Sequence, residues 1–154
     1  MSRGYIYEIA TNPEELGCMD ESDFYEMAGN AADFFTDVDK EDAAEDAKNF
    51  VKMFGKHSAE TEEGSENGGP WFVLTDDVRR SFFQKRLEEL QALVKNMTID
   101  KFALEYPYEL QHTVHNRYGD AVYLNSVFYD LDYFIRECAQ SGVRYYVGNV
   151  VLMH

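Results

Sequence analysis

At 154 residues and 17.8 kDa the chain has the length of one ordinary domain, which typically runs to about 100–200 residues. A composition that is 45% hydrophobic and 15% aromatic, with three prolines, argues against a disordered chain. The net charge of -15, from 29 acids and 14 bases, argues against direct binding to nucleic acid or anionic lipid, both of which demand basic patches.

Residues 4–10 (GYIYEIA) are aromatic and β-branched and run into Thr11-Asn12-Pro13, which predicts a first strand ended by a turn. A short helix is expected after Ser22 through Phe24, Met27 and Ala28, stopping at Gly29-Asn30. From Asp39 the apolar residues Ala43, Ala47, Phe50, Val51 and Phe54 recur at helical spacing up to Gly55. Acids crowd the start of that helix and lysines its end, as the helix dipole favours. Residues 57–70 carry no large apolar side chain and end in Gly-Gly-Pro, so a mobile acidic, glycine-rich loop is expected there.

Trp71 to Leu74 reads as a strand, and Thr75 or Asp76 as the cap of a long helix reaching Met97. Its stripe of Val78, Phe82, Phe83, Leu87, Leu90, Val94 and Met97 is the longest regular apolar pattern in the chain. Thr98 is the expected cap of a short helix, and Pro107 suits the first turn of another that ends at Asn116. Ala121 to Leu124 predicts a short strand. Ser126 is the expected cap of an amphipathic helix through Val127, Phe128, Leu131, Phe134, Ile135 and Cys138. Residues 143–153 are apolar on both alternations, as in a central strand covered on both faces. The expected fold is α+β, or a small α/β: about four strands in one mixed sheet packed by four to five helices, forming a single domain over 1–154.

Charge is distributed unevenly. Residues 1–77 hold 20 acids and 5 bases, and residues 78–154 hold nine of each. Residues 14–46 alone contain 13 acids and one base, Lys40. This asymmetry predicts an acidic binding face that includes Asp37, Asp39, Glu41, Asp42, Glu45 and Asp46, with Tyr25, Tyr106 and Tyr108 as aromatic anchors. The expected partner is a basic protein surface, in the most specific version that of a nuclease or defence enzyme inhibited by nucleic-acid mimicry. Calcium does not fit Asp37 to Lys48, because the sixth and twelfth loop positions are Asp42 and Lys48 where a glycine and a glutamate are needed.

An enzyme is the competing reading, although the balance of the sequence leans against catalysis. Glu109, His112 and His115 share a helix face at i, i+3 and i+6, and His112 and His115 could ligate a metal for a hydrolase. The i, i+4 histidines and intervening glutamate of zinc hydrolases are not there. No cofactor motif is present, and no metal is expected. The third reading is an ordinary domain with a solvated acidic surface. Cys18 and Cys138 read as reduced thiols; the N-terminus lacks an apolar signal core, and no stretch reaches the roughly 20 apolar residues that cross a bilayer. A cytoplasmic setting is therefore expected, without membrane attachment.

Overall fold

A computed structural model describes residues 4–59, 69–104, 108–116 and 119–154. It is a mixed α+β fold built on one open sheet of seven strands among the described residues. Strand β1 (Gly4–Ala10) lies at its centre, parallel to β5 (Ala121–Leu124) on one side and antiparallel to β7 (Arg144–Met153) on the other. Beyond β7 stand β4 (Trp71–Val73) and then β3 (Lys56–Ser58), and beyond β5 stands β6 (Val127–Asp130). A short strand β2 (Phe35–Asp37) pairs with the last three residues of β7, on the edge that β4 uses further back.

Both faces of the sheet are apolar. Tyr7, Ile9, Val122, Tyr145, Val147 and Val150 point to the first face. Helix α1 (Lys40–Val51) covers it, burying Ala43, Ala47, Phe50 and Val51. Phe50 stacks on Tyr7 with ring centroids 4.0 Å apart, and Phe54 stacks on Phe72 at 3.9 Å. Ile6, Ala121, Val151 and Met153 point to the second face, under Met19, Phe24, Ala32 and Phe35 from the first third of the chain. The expected central strand over 143–153 is β7, covered on both faces.

That register holds because of one carboxylate. Glu8 is the buried charged residue of the core, and its two oxygens accept from the amides of Gly17 (2.7 Å), Cys18 (3.0 Å), Met19 (2.9 Å) and Asn149 (3.0 Å). A bulge sets Gly148 and Asn149 opposite it, since Tyr7 pairs with Val150 but Ile9 with Val147. A Cβ on Gly148 would lie 2.4 Å from the Glu8 oxygen, so this position needs glycine.

Several expectations need correction. Strands β2, β3 and β6 raise the count from about four to seven; each has three or four residues, too few to display a period. His57 and Ser58 belong to β3, so the hairpin to β4 begins inside the segment expected to be a loop; residues 60–68 lie outside the described residues. The helix expected after Ser126 is preceded by β6, because Asn125 and Ser126 both adopt positive φ (51° and 63°) and form a two-residue hairpin turn rather than a cap. The helix begins instead at Leu131 as α5 (Leu131–Tyr133) and continues as one π turn, Phe134–Cys138. The short helix near residue 22 is a 3-10 helix, Glu21–Met27, capped by Asp20 in a capping box with Asp23.

Helix α2 (Asp76–Lys95) starts at Thr75 as expected and is about 30 Å long. Its first turns hold Val78, Phe82 and Phe83 against the core, but none of its residues is fully buried. Leu87 and Val94 are exposed. Helices α3 (Ile99–Ala103) and α4 (Tyr108–His115) follow as an arm whose last helix runs beside α2 and lines a cleft with Asn30 and Asp130 of the body. Arg86 ties the arm to the body: it donates to the Asp132 carboxylate (3.2 Å) and, across to α4, to the carbonyl of Thr113.

Candidate acidic interaction face

The acidic segments at 20–26 and 37–46 are separate in sequence and joined in space. Glu21 and Asp37 exchange hydrogen bonds: the Glu21 amide donates to the Asp37 carboxylate (2.8 Å), and the Asp37 amide donates to the Glu21 carboxylate (2.9 Å). This clasp brings the start of the 3-10 helix against β2, directly before α1. Asp39 then caps α1, accepting from the Asp42 amide at 3.0 Å. Glu41, Asp42 and Glu45 project from the first turns of α1 into solvent.

Part of this acidity is structural. Asp20 accepts from both the amide and the hydroxyl of Ser22, and those bonds lower its pKa. Glu41 and Asp42 stand in the first turn of α1, where the helix dipole favours them, and their carboxylates, like that of Glu45, face solvent. Among the described residues the ion pairs are Arg79 with Asp76, and Arg86 with Glu89 and Asp132, so none involves residues 14–46.

Asp46 lies half-buried beneath the face. Burial raises its pKa first, and the charges of Asp42 and Glu45 raise it further. Its field reaches Asp120, whose carboxyl is also raised, mainly by burial and against the hydrogen bond it accepts from the Tyr5 amide (2.9 Å). The Tyr7 phenol, buried between them, is pushed well above its ordinary value by burial and then by Asp120 and Asp46.

Tyr25 belongs to this face: its ring is exposed, and its hydroxyl donates to the Glu21 carboxylate at 3.0 Å. That bond is the main reason its pKa is raised. Tyr108 is exposed too, but on α4 in the arm, and Tyr106 lies outside the described residues. Phe34 is an aromatic that the sequence reading did not place at the surface. It is exposed beside Asp33 and stacks on His154 with centroids 4.8 Å apart. Its neighbour Phe35, the first residue of β2, points into the second core.

The histidine trio divides between two clefts. His112 and His115 line one of about 610 Å³, with Asn30, Gln111 and Asp130. Glu109 lines another of about 390 Å³ between α2 and α4, with Arg86, Glu89 and His112, so His112 borders both. Burial and then the Asp132 charge raise the Asp130 pKa. Among the described residues no three His, Cys, Asp or Glu side chains could share a metal ion. Cys18 is exposed and Cys138 half-buried, and both are free thiols. Among the described residues no helix is long and apolar enough to cross a membrane. Comparison with models of protein families, with curated proteins and with solved structures finds no match to this chain.

Proposed function

We propose that the protein is a non-catalytic binding module whose acidic face docks on a basic partner surface. The observation that carries this reading is the joining of two acidic segments through Glu21 and Asp37, in a region without ion pairs among the described residues. Concentrated charge without counter-charge costs self-repulsion within the fold, and a basic partner would relieve it while steering encounter. Tyr25 supplies a rigid aromatic contact inside the charged rim. In its most specific form the module is a nucleic-acid mimic. Carboxylates fixed on α1 would occupy the phosphate-binding groove of a nuclease or defence enzyme and inhibit it. The partner setting is the cytoplasm.

The hydrolase alternative is weakened by the separation of Glu109 from the cleft that His112 and His115 share with Asp130. The test is capture of partners from lysate by the wild-type chain and by Glu41→Lys/Asp42→Lys/Glu45→Lys, which spares the half-buried Asp46. The wild type should retain a basic nucleic-acid enzyme at low salt and release it at high salt, and inhibit it in a nuclease assay. The charge-reversed variant should do neither. Equal capture and inhibition by both forms would refute the acidic-face reading. Extending the reversal to Asp46→Lys should deepen the loss if the chain still melts cooperatively.

A further inference from the structure

Two acid-free stretches of this acidic chain wall one cavity. Residues 48–56 hold Lys48, Lys52 and Lys56, and residues 78–87 hold Arg79, Arg80, Lys85 and Arg86, so the two segments carry seven of the 14 bases and no acid. They meet at Gly55, where a Cβ would lie 2.8 Å from Val78 and 3.0 Å from the Thr75 hydroxyl. The cavity beside this contact has a volume of about 470 Å³, within the roughly 300–1,000 Å³ of small-molecule sites. Its apolar wall is Met53 and Phe54 from the end of α1, Val78 and Phe82 from α2, and Ile135 of the π turn. Two cations stand among its lining residues, and they differ. Arg86 is fully engaged: it donates to Asp132, to Glu89 and to the carbonyl of Thr113, and so neutralises Glu89, the acid on the rim. Lys85 is exposed, and among the described residues no ion pair involves it. Ser81, four residues earlier on the same helix face, adds a hydroxyl to the same rim.

We propose that this cavity binds a small alkyl carboxylate, its chain against the apolar wall and its head at Lys85 and Ser81. The charge of the rim selects the head. A single ammonium is a point charge that suits a monoanion, whereas the guanidinium fork that would grip a phosphate bidentately is already occupied. The wall selects the body: the unbranched side chain of Met53, 41% exposed, can follow a flexible chain of varying length. The net charge of -15 does not oppose an anion here. Helix α1 is about 18 Å long, which sets its first-turn acids Glu41 and Asp42 at the far end from Met53, beyond the roughly 8 Å over which charge is felt at physiological salt. The site is thus separate from the acidic face and independent of the function proposed for it.

Titration calorimetry of the full chain should show octanoate binding one to one. Hexanoate should bind roughly tenfold more weakly, for two fewer buried methylenes. Octanol, which lacks the charge, should bind about fivefold more weakly than octanoate, and acetate, which lacks the chain, should show no saturable binding. Lys85→Gln should lower octanoate to the level of octanol and leave octanol unchanged, and Lys85→Arg should restore the difference. Ser81→Trp, at an exposed position on the rim, should fill the cavity and abolish binding of both, with its fold verified by a cooperative melt. If that variant does not melt cooperatively, Met53→Trp blocks the cavity from the opposite wall and serves in its place. Absence of saturable octanoate binding overturns the proposal, as does octanoate binding that survives a folded cavity-filling variant. Equal affinity for octanol and octanoate in the wild type would overturn recognition of the carboxylate.

Discussion

Helices α1 and α2 are patterned alike and end in opposite states. α1 buries its whole stripe, Ala43, Ala47, Phe50 and Val51, whereas α2 carries a longer stripe and buries none of it completely. The reason is one of reach. α1 lies against β7, the longest strand, whereas α2, about 30 Å long, runs beside α4 and meets the body through Arg79, which donates to the carbonyls of Ile135 and Ala139. An apolar period shows that a helix face needs cover, and the dimensions of the neighbouring element decide whether the chain can supply it.

The largest effect is expected where cover is complete. Phe50→Ala should cost about 3–5 kcal/mol by chemical denaturation, because it removes the stack on Tyr7 and leaves a cavity under α1. Val94→Ala should cost no more than about 0.5 kcal/mol. Comparable losses at the two sites would break the contrast between body and arm.

Glu8→Gln sharpens it by asking what else holds the body. The NH2 that replaces one carboxylate oxygen cannot accept, so two of the four amides that Glu8 satisfies are left without an acceptor. Destabilisation of about 2–4 kcal/mol is expected in the same assay. A change near zero would show that the carboxylate is incidental to the bulge.

The smallest effect is a pH-dependent gain. Asp120 has a folded pKa raised above its unfolded value, so the folded state binds its proton more tightly and loses relative stability as pH rises through that interval. Asp120→Asn keeps an oxygen for the Tyr5 amide and removes the titration. The variant should melt higher than wild type at neutral pH, and the advantage should vanish below the ordinary aspartate value of about 3.9. An advantage that grows toward low pH would contradict this electrostatic account.

Much of the fold was legible wherever a period had room to repeat. β1, β7, α1 and the caps of α2 and α3 at Thr75 and Thr98 stand where spacing and capping chemistry put them. The three short strands were not legible, because they exist through their neighbours: β2 by pairing with the end of β7, β3 by pairing with β4, and β6 through a turn whose two residues adopt positive φ. The site followed the same division. The acids of α1 could be counted in the sequence, but the contact that joins them to the 3-10 helix runs between Glu21 and Asp37, sixteen residues apart. The role of Glu8 was hidden because nothing local marks a carboxylate that collects amides from Gly17 to Met19 and from Asn149.

The placement of β1 has a consequence for the growing polypeptide. Its partners are β5 and β7, with Gly4 opposite Met153 and Ile6 opposite Ala121. When the first strand leaves the ribosome, neither neighbour has been synthesised, and the sheet cannot close until nearly all of the sequence described here has emerged. Such distant pairings slow closure and prolong the exposure of apolar segments. The charge that follows β1, 13 acids within residues 14–46, emerges before either partner strand, and its mutual repulsion opposes collapse of the waiting segment.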